Sequence, residues 1–395
     1  MKSKILVINS GSSSIKLSLF DKETLKVIAN GLAEKIKLPL GNIKIKHDDK
    51  VNEISLEMKD HTVAVENIIN LMKKMKLIEN PKEIEIIGFR VVHGGPYFNS
   101  TTKLDDENIE LINKASIYAP LHNPGAVQAM LGFKKVMPHA KMCAEFDTSF
   151  HTTIEDINSI YPIPFEWTEK FNIKKYGAHG ISHEFCTLKL ENILNKKNVN
   201  FINLHIGNGA SLCAVKNSKS IDTSMGLTPL AGIMMGTRSG DIDPSIPNFV
   251  AENLNLDIKT ITDDLNNKSG LLGVSGVSSD MRDLLKAIDD NNERAKFAFD
   301  LYTQKIIDYC AMYANKIGKL DALVFTAGVG ENTPNLRENI AKKINFAKIE
   351  IDDTKNYGKI GEYELISTPN SEVKVFVLRT NEELLIAKHA LELFK

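Results

Sequence analysis

Three short polar stretches of this sequence each follow an apolar run, and each has a composition that can hold an anion. They are Asn9–Ser14, Gly207–Ser211 and Gly328–Asn332. In open α/β sheets, nucleotide phosphates bind at strand ends, where backbone amides are exposed. Any one stretch alone is as well explained by an ordinary turn. Three of them together predict a site for a nucleotide.

The first stretch differs from the familiar phosphate-binding loop. In VINSGSSSIKLSLF, Ile15 precedes Lys16, and apolar residues then alternate with polar ones. A Walker loop needs a glycine directly before its lysine and a helix after it. Alternation instead predicts a strand. We therefore expect Asn9–Ser14 to form a turn between two strands.

The segments around the first and second stretches resemble each other. KILVINSGSSSIKLSLFD near residue 4 and NFINLHIGNGASLCAVKN near residue 200 both follow the pattern of strand, polar turn and strand. Two such copies predict a duplicated domain with one hairpin in each half.

The remaining segments alternate between predicted strands and helices, which indicates the α/β class. Strands are expected at residues 84–92, at AKMCAEF, at DALVF before a glycine turn, and at KVFVL. A helix is expected to begin with Asn123 as N-cap and Pro124 at its first position. Further helices are expected from Thr333-Pro334 and over the C-terminal NEELLIAKHALELF.

Composition places the chain among soluble globular proteins. It has 395 residues, of which 43% are hydrophobic and 25% charged, and its net charge is −1. This length predicts two domains, and the charge argues against a nucleic-acid partner. The apolar run Ile5–Ile8 is too short for a signal peptide or a membrane span, so we expect no membrane partner. Scattered cysteines without a CxxC pair predict a reduced, cytoplasmic protein.

Motifs along the whole chain resemble those of the acetate kinases, a family of the acetate and sugar kinase, heat-shock chaperone and actin superfamily. The motifs occur in the family's order: NSGSSSIK, RVVHGG, FDTSFH, YGAHGISH, HIGNGAS, DTSMGLTPLAGIMMGTRSGDIDP, SSDMRD, TAGVGEN and TNEE. The resemblance implies duplicated ribonuclease-H-like (actin-like ATPase) domains with a nucleotide cleft between them. The expected domains are residues 1–147, with a C-terminal helix over 381–395 packing back on them, and residues 148–380.

The resemblance also implies an activity. Such an enzyme transfers the γ-phosphoryl group of ATP reversibly to acetate, giving acetyl phosphate and ADP, with Mg²⁺ or Mn²⁺ as cofactor and a homodimer as the working form. Propionate, as another short-chain carboxylate, is an alternative substrate. An actin-like or chaperone-type ATPase is an alternative from another class, but an ATPase has no use for a cationic carboxylate clamp.

The resemblance assigns a set of site residues. The catalytic residues are Asp147, His179 and Arg238, and those for the carboxylate substrate are Arg90, Val92, Leu121 and Pro229. Those for ATP are Lys16, His205, Ile206, Gly207, Asn208, Gly209, Asp280, Met281, Arg282, Gly328, Val329, Gly330, Glu331 and Asn332. Those for the metal are Asn9 and Glu382.

Several assignments agree with what the side chains can do. Arg90 at a strand end can bind a carboxylate with two hydrogen bonds, although a structural ion pair is the alternative. His179 and Arg238 can donate to the oxygens of a transferring phosphoryl group. Asp147 need not remove a proton, because a carboxylic acid with a pKa of about 4.3 is already ionised at neutral pH. An acid/base role and an orienting role both stay open for Asp147.

Histidine spacing suggests one other possibility, which the neighbouring residues argue against. His179 and His183 are four apart, a spacing that binds zinc on a helix. Gly180 and an expected N-cap at Ser182 place a helix start between them instead. For His122 and His205, lining of the site and burial in the core both remain open.

The C-terminal motif offers two glutamates for one metal. Thr380 and Glu383 have the spacing of a capping box, with Thr380 as N-cap and Glu383 at the third helical position. This interpretation leaves Glu382 for the metal.

Two positions depart from the family pattern. Arg379 stands where a proline is usual, a change expected to affect only the local turn. Ala178 stands where phenylalanine commonly closes the acyl pocket. Either the pocket is wider here, or a neighbour such as Tyr176 or Phe185 restores the wall.

Overall fold

The structure, a computed structural model, describes residues 3–395. The chain divides into two compact units, which are Met1–Phe150 with Asn381–Lys395, and His151–Thr380. The first break therefore falls after residue 150, where the sequence had suggested residue 147.

The described residues of the first unit form one sheet of eight strands. The strands are β1 (Lys4–Ser10), β2 (Ser14–Asp21), β3 (Val27–Glu34), β4 (Gly41–His47), β5 (Lys50–Leu56), β6 (Ile84–Val91), β7 (Thr102–Lys103) and β8 (Lys141–Phe146). They lie in the order β5-β4-β3-β2-β1-β6-β8-β7. Three helices of this unit are α1 (His61–Lys74), α2 (Asp106–Lys114) and α3 (Asn123–Val136).

The second unit, which the structure describes throughout, has one sheet of six strands. They are β9 (Phe201–Ile206), β10 (Ala210–Lys216), β11 (Lys219–Thr223), β12 (Ala322–Thr326), β13 (Tyr363–Leu365) and β14 (Lys374–Leu378). Their order is β11-β10-β9-β12-β14-β13.

Helices make up most of the rest of the second unit. They are α4 (Asp156–Ser159), α5 (Phe165–Phe171), α6 (Gly180–Leu194), α7 (Ile246–Leu254), α8 (Ile258–Asn267), α9 (Gly270–Ser275), α10 (Met281–Asp289), α11 (Glu293–Ile317), α12 (Ala327–Asn332), α13 (Pro334–Lys343) and α14 (Asp353–Asn356). The last helix of the chain, α15 (Glu382–Leu393), belongs to the first unit.

Five neighbouring strands have the same arrangement in both sheets. In the first sheet, β3, β2 and β1 are antiparallel neighbours, and β1, β6 and β8 are parallel neighbours. In the second, β11, β10 and β9 are antiparallel, and β9, β12 and β14 are parallel. The two similar sequence segments are therefore corresponding hairpins, and the predicted duplication is confirmed.

The predicted polar turns are shorter than expected. Asn9 lies within β1 and Ser14 begins β2, so the first turn is Gly11–Ser13. Ser211 lies within β10, not in the second turn. The expected glycine turn after β12 is wrong, because residues 327–332 form helix α12.

The predicted N-cap of α3 is also wrong. His122 precedes the first helical residue, and Asn123 is the first residue of the helix. The Asn123 side chain is used elsewhere: its Oδ1 accepts from the backbone N–H of His93 at 3.2 Å, and its Nδ2 donates to the His93 carbonyl at 2.8 Å. This amide fixes the chain directly after β6.

The N-termini of α6 and α15 differ from prediction as well. His179, not Ser182, is the N-cap of α6, so the two histidines do lie on either side of the helix start. The N-cap of α15 is Asn381, whose side chain accepts from the Leu384 N–H at 2.9 Å. The capping box of Thr380 with Glu383 is therefore absent from the described structure, and Glu383 is the second helical residue.

Each unit has an apolar core of its own. In the first unit, glycine at position 88 of β6 lets α15 approach, since a Cβ there would lie 2.7 Å from Ile386 Cγ2. All four cysteines are free and buried. In the described part of the chain, no helix combines the length and the apolar character that a membrane span needs.

Candidate active site

On the first sheet, four polar residues lie in one row across neighbouring strands. Asn9 on β1 pairs with Lys16 on β2 and with Arg90 on β6. Arg90 in turn pairs with Glu145 on β8. Directly paired residues project from the same face of a sheet. The register thus brings together residues that the sequence predicts for the metal, the nucleotide and the carboxylate.

Asp147 completes this row through its contact with Arg90. Its backbone N–H donates to the Val91 carbonyl at 2.9 Å, which extends the pairing of β6 and β8 by one residue. Arg90 Nε donates to Asp147 Oδ1 at 3.1 Å, and Nη2 donates to Oδ2 at 2.7 Å. Among the described residues, Nη1 of Arg90 has no hydrogen-bond partner. One edge of the guanidinium is therefore held by Asp147, and Nη1 can donate to a second carboxylate.

Helix α15 adds two carboxylates to the same row. Arg90 Nε lies 3.6 Å from Glu382 Oε2, and Lys16 Nζ lies 2.5 Å from Glu383 Oε1. Burial raises the pKa of Glu382, and although Arg90 opposes this, the charges of Asp147 and Glu383 raise it further. Burial would lower the pKa of Arg90, but Asp147 and Glu382 together hold it above its ordinary value.

The donor set of this row fits a divalent cation. Glu145 is hydrogen-bonded to Ser149 and His389. The other three carboxylates, Asp147, Glu382 and Glu383, face the two cations Arg90 and Lys16, so this group carries one negative charge in excess when all its members are ionised. A bound cation would balance that charge. The carboxylates, and the amide oxygen of the neighbouring Asn9, are the hard oxygen ligands that magnesium prefers.

The residues predicted for the acyl pocket lie in both units. Val92, directly after β6, is half-buried, whereas Leu121 is 67% exposed. Pro229 and Ala178 belong to the second unit.

The second unit contains a cavity of about 460 Å³, a volume within the usual range for small-molecule sites. Its walls come from the β9–β10 turn, the start of α10 and the region from α12 to the start of α13. The lining residues are Gly207, Asn208, Ser279, Asp280, Met281, Arg282, Gly328, Val329, Asn332 and Thr333. The structure thus gathers eight of the predicted nucleotide residues, and it adds Ser279 and Thr333, which were not in the predicted set. Ser279 directly precedes Asp280 within SSDMRD, which is the signal that could have identified it.

Five other predicted nucleotide residues of the second unit do not line this cavity. Ile206 is fully buried, and Gly330 packs near it in the core. The ring of His205 stacks on His179, with centroids 4.1 Å apart. Glu331 Oε1 accepts from the backbone N–H of Ala327 at 2.9 Å. Gly209 ends the turn before β10. Lys16, the sixth predicted residue outside this lining, belongs to the first unit.

Glu331 holds an unusual backbone turn. Ala327 has φ of +65°, a left-handed conformation that alanine rarely adopts. Glu331 also accepts from the Thr380 N–H at 3.3 Å. Burial raises the pKa of Glu331, while these hydrogen bonds oppose the rise. The carboxylate therefore fixes the β12–α12 junction, which in turn positions Gly328 and Val329 at the cavity.

His179 and Arg238 meet at the last residue of the β9–β10 turn. A Cβ on Gly209 would lie 3.2 Å from Arg238 Nη1 and 3.9 Å from His179 Nε2. Arg238 Nη1 also donates to the Pro229 carbonyl at 3.4 Å. Burial lowers the pKa of Arg238, but a guanidinium stays charged at neutral pH. Two hydrogen-bond donors thus lie beside the turn whose first residues line the cavity.

Ser211 contacts two histidines and was not among the predicted site residues. Its Oγ lies 2.9 Å from His179 Nδ1 and 2.9 Å from His183 Nε2. The two histidines thus share a serine hydroxyl. The signal lay in HIGNGAS, where Ser211 follows the glycine turn on a buried strand.

Ala178 lies directly before His179 and is only 3% exposed. Its carbonyl accepts a hydrogen bond from His151 Nε2 at 3.0 Å. Tyr176, one of the proposed substitutes for the missing ring, is buried, and its hydroxyl donates to the Asn172 carbonyl at 2.9 Å.

Known proteins resemble this chain over nearly its whole length. The model of the acetokinase family matches residues 4–388. An acetate kinase of Mycoplasmopsis pulmonis (strain UAB CTIP) is 57% identical over 391 residues, which are 99% of each chain. The solved acetate kinase of Porphyromonas gingivalis is 39% identical with a TM-score of 0.95 over 100% of both chains. A propionate kinase from Francisella tularensis subsp. tularensis SCHU S4 is also 39% identical, with a TM-score of 0.93 over 99% of each chain.

These matches extend over nearly the whole chain. The duplicated actin-like α/β fold that the motifs predicted is confirmed by the similarity to the solved acetate kinase. The chain belongs to the acetokinase family.

Proposed function

We propose that this chain is an ATP-dependent acetate kinase, which transfers the γ-phosphoryl group to acetate and forms acetyl phosphate and ADP. The proposal rests on the β9–β10 turn, which contacts both the cavity and the two side chains His179 and Arg238. Gly207 and Asn208 line the 460 Å³ cavity, and Gly209 lies beside His179 and Arg238. A nucleotide in this cavity would have two donors near its phosphates, and donors of this kind stabilise charge in phosphoryl transfer.

Arg90 is proposed to bind the acetate. Its guanidinium is aimed by Asp147 through two hydrogen bonds and keeps Nη1 for another acceptor. Acetate is already a carboxylate at neutral pH, so no base is needed to ionise it. Asp147 therefore acts by holding Arg90 in place.

Magnesium is the proposed cofactor, and Asn9 and Glu382 would hold it. When bound, it neutralises phosphate charge during transfer. Glu382→Gln should raise the Mg²⁺ concentration needed for half-maximal binding, measured by calorimetry with ATP. Glu383→Gln is the matched control, since Glu383 is already paired with Lys16. A Mg²⁺ affinity of Glu382→Gln equal to that of the wild type would remove Glu382 from the metal site.

One assay tests the proposed reaction. Enzyme, ATP, Mg²⁺, acetate and hydroxylamine should give acetyl hydroxamate, because hydroxylamine traps acetyl phosphate. A chaperone-type ATPase would release phosphate whether or not acetate is present. Phosphate release without hydroxamate would overturn the proposal.

Propionate kinase activity is the second candidate. The solved propionate kinase is as similar in sequence as the solved acetate kinase, at 39% identity. Alanine at position 178 also favours a longer acyl chain, if the space of the missing ring is open. The ratio of kcat/KM for propionate and acetate distinguishes the two candidates.

The working form is proposed to be a homodimer, as expected from the family. Helix α7 supports this proposal, since none of its residues is buried and Phe249 and Leu254 are 66% and 65% exposed. A second copy would cover such apolar side chains. Light scattering after size exclusion should give twice the chain mass, and Phe249→Glu should shift it toward the monomer. A monomeric wild type would refute this part.

The cytoplasm is the proposed location. Four free, buried cysteines are typical of proteins from a reducing compartment. Fractionation of the source cells with an antibody against the chain would test this location.

A further inference from the structure

Ser211 on β10 is fully buried and lies between two imidazole rings. Its Oγ is 2.9 Å from Nδ1 of His179 and 2.9 Å from Nε2 of His183. A hydroxyl has one proton, so if it donates to one ring it must accept from the other. Which of the two rings receives the Ser211 proton depends on the hydrogen bond that His183 makes at its other nitrogen, Nδ1.

Asn203 on β9 sets the direction. Its Nδ2 lies 2.9 Å from His183 Nδ1, and an amide nitrogen donates but does not accept. His183 Nδ1 is therefore an acceptor. Burial lowers the pKa of His183 well below its ordinary value, so the ring is neutral and carries its one proton on Nε2. That nitrogen donates to Ser211 Oγ.

Ser211 must then give its own proton to His179 Nδ1. A neutral His179 consequently has its proton on Nε2. Nε2 lies on the side of the ring toward Gly209, where Arg238 Nη1 also lies. Only this tautomer can donate a hydrogen bond from that side of the ring.

We propose that Ser211, with His183 and Asn203 behind it, is a positioning residue that holds His179 as the Nε2–H donor for the transferring phosphoryl group. The proposal rests on the role of His179 in the proposed function. It adds three buried residues to the set expected from the motifs, and it gives each a stated proton position.

A measurement on the wild type tests the tautomer without any activity assay. Imidazole ¹⁵N chemical shifts separate protonated from unprotonated ring nitrogens. In the full chain labelled with ¹⁵N-histidine, the His179 signals can be assigned by their loss in His179→Gln. At neutral pH, Nε2 of His179 should be protonated and Nδ1 unprotonated. The opposite pattern would overturn the proposal.

Two substitutions at position 211 separate positioning from folding. Ser211→Ala should lower kcat by about tenfold or more while both KM values stay within about threefold, because donation matters most in the transition state. Its His179 ¹⁵N shifts should move toward an average of the two tautomers. Ser211→Thr keeps a hydroxyl and should recover most of the lost kcat.

Ser220→Ala is the matched control. Ser220 is equally buried, and its Oγ lies 2.9 Å from a ring nitrogen of His151, not of His179. This variant should keep the wild-type kcat within about threefold, because the Ser220 hydroxyl contacts His151 and Cys213. Equal losses of kcat in Ser211→Ala and Ser220→Ala would contradict the proposal. If the wild type shows the expected ¹⁵N pattern but forms no acetyl phosphate, the proposed function fails while the tautomer assignment stands.

Discussion

Arg90 and Asp147 form an ion pair in which Nε and Nη2 of the guanidinium bind both oxygens of the carboxylate, at 3.1 and 2.7 Å. The Asp147 side chain is 1% exposed, and its backbone is tied to β6. Because both carboxylate oxygens accept from the same guanidinium, Asp147 fixes the orientation of the Arg90 side chain. The structure therefore favours the orienting role for Asp147 over proton transfer.

Substitution of Arg90 should act on the carboxylate substrate. Arg90→Lys keeps a charge beside Asp147 but loses the planar fork, and it should raise the KM for acetate about 10- to 100-fold, the equivalent of about 1.5–3 kcal/mol for a charged hydrogen bond. The KM for ATP should change little. Arg379→Ala, which removes an exposed arginine, is the control. Unchanged acetate saturation in Arg90→Lys would remove Arg90 from the substrate site.

Substitution of His179 or Arg238, the two proposed hydrogen-bond donors to the transferring phosphoryl group, should lower turnover. His179→Ala and Arg238→Ala should each lower kcat by about 10²- to 10³-fold, the usual loss for one donor to a developing charge. Both KM values should stay near those of the wild type. Steady-state kinetics with both substrates varied would show the split. A variant with nearly full kcat would have no such role.

The hairpins that carry these residues could be predicted from the sequence because alternation of apolar residues determines the face of each strand. The row of Lys16, Asn9 and Arg90 could not. It depends on which residues of β2, β1 and β6 lie opposite each other. The register between strands that are distant in sequence cannot be predicted from the pattern of any one segment. The link from Ser211 to His179 and His183 has the same origin, since it joins a strand to a helix start.

Helix caps were the weakest predictions, for a physical reason. Thr380 and Asn381 both have side chains that can cap a helix. Thr380 is engaged by Ser182, whose Oγ donates to its hydroxyl at 2.9 Å, and this leaves Asn381 for α15. Competition between tertiary partners decides such cases. Propensity at neighbouring positions does not.

The corrected cap gives a stability prediction. Asn381→Ala removes the acceptor for the Leu384 N–H and should lower the free energy of unfolding by about 1 kcal/mol. Glu383→Ala should cost less, because Lys16 is 56% exposed and such ion pairs contribute about 0–1 kcal/mol. Urea denaturation measures both. Asn381→Ser should retain stability, and a larger loss in Glu383→Ala than in Asn381→Ala would restore the capping box.

Acid should destabilise the second unit through its buried histidines. Burial lowers the pKa of His151 to about 4, although its bond to the Ala178 carbonyl opposes this, and the pKa of His183 is also far below normal. The unfolded chain binds these protons near pH 6.5, so the free energy of unfolding should fall as the pH drops from about 6.5 toward 4. The slope is at most about 1.4 kcal/mol per pH unit for each histidine. Urea midpoints at pH 7, 6 and 5 should show this fall, and His151→Gln should flatten it; an equally steep fall in that variant would exclude His151 as a cause.

Ala178 should make this enzyme more tolerant of propionate than an acetate kinase with phenylalanine there. The missing ring is much larger than the one methylene that separates propionate from acetate. Burial of one methylene contributes about 0.8 kcal/mol, and a tight pocket discriminates by about 1–3 kcal/mol. A pocket without the ring could therefore lose this discrimination.

In the competing explanation, a neighbouring aromatic side chain fills the space of the missing phenylalanine in the acyl pocket, and the structure leaves one such neighbour. Tyr176 is buried and held by the Asn172 carbonyl, so Phe185, half-buried on α6, is the remaining substitute. Ala178→Phe should selectively lower kcat/KM for propionate, by about tenfold relative to acetate. Because Ala178 is only 3% exposed, the added ring could also overpack its surroundings, at a cost of about 1–3 kcal/mol in stability. Overpacking would lower the urea midpoint and slow both acids alike, whereas a closed acyl pocket changes their ratio. An identical propionate-to-acetate ratio in wild type and Ala178→Phe would mean that the substitution at this position is compensated by packing, with Phe185→Ala as the variant that should then open the pocket.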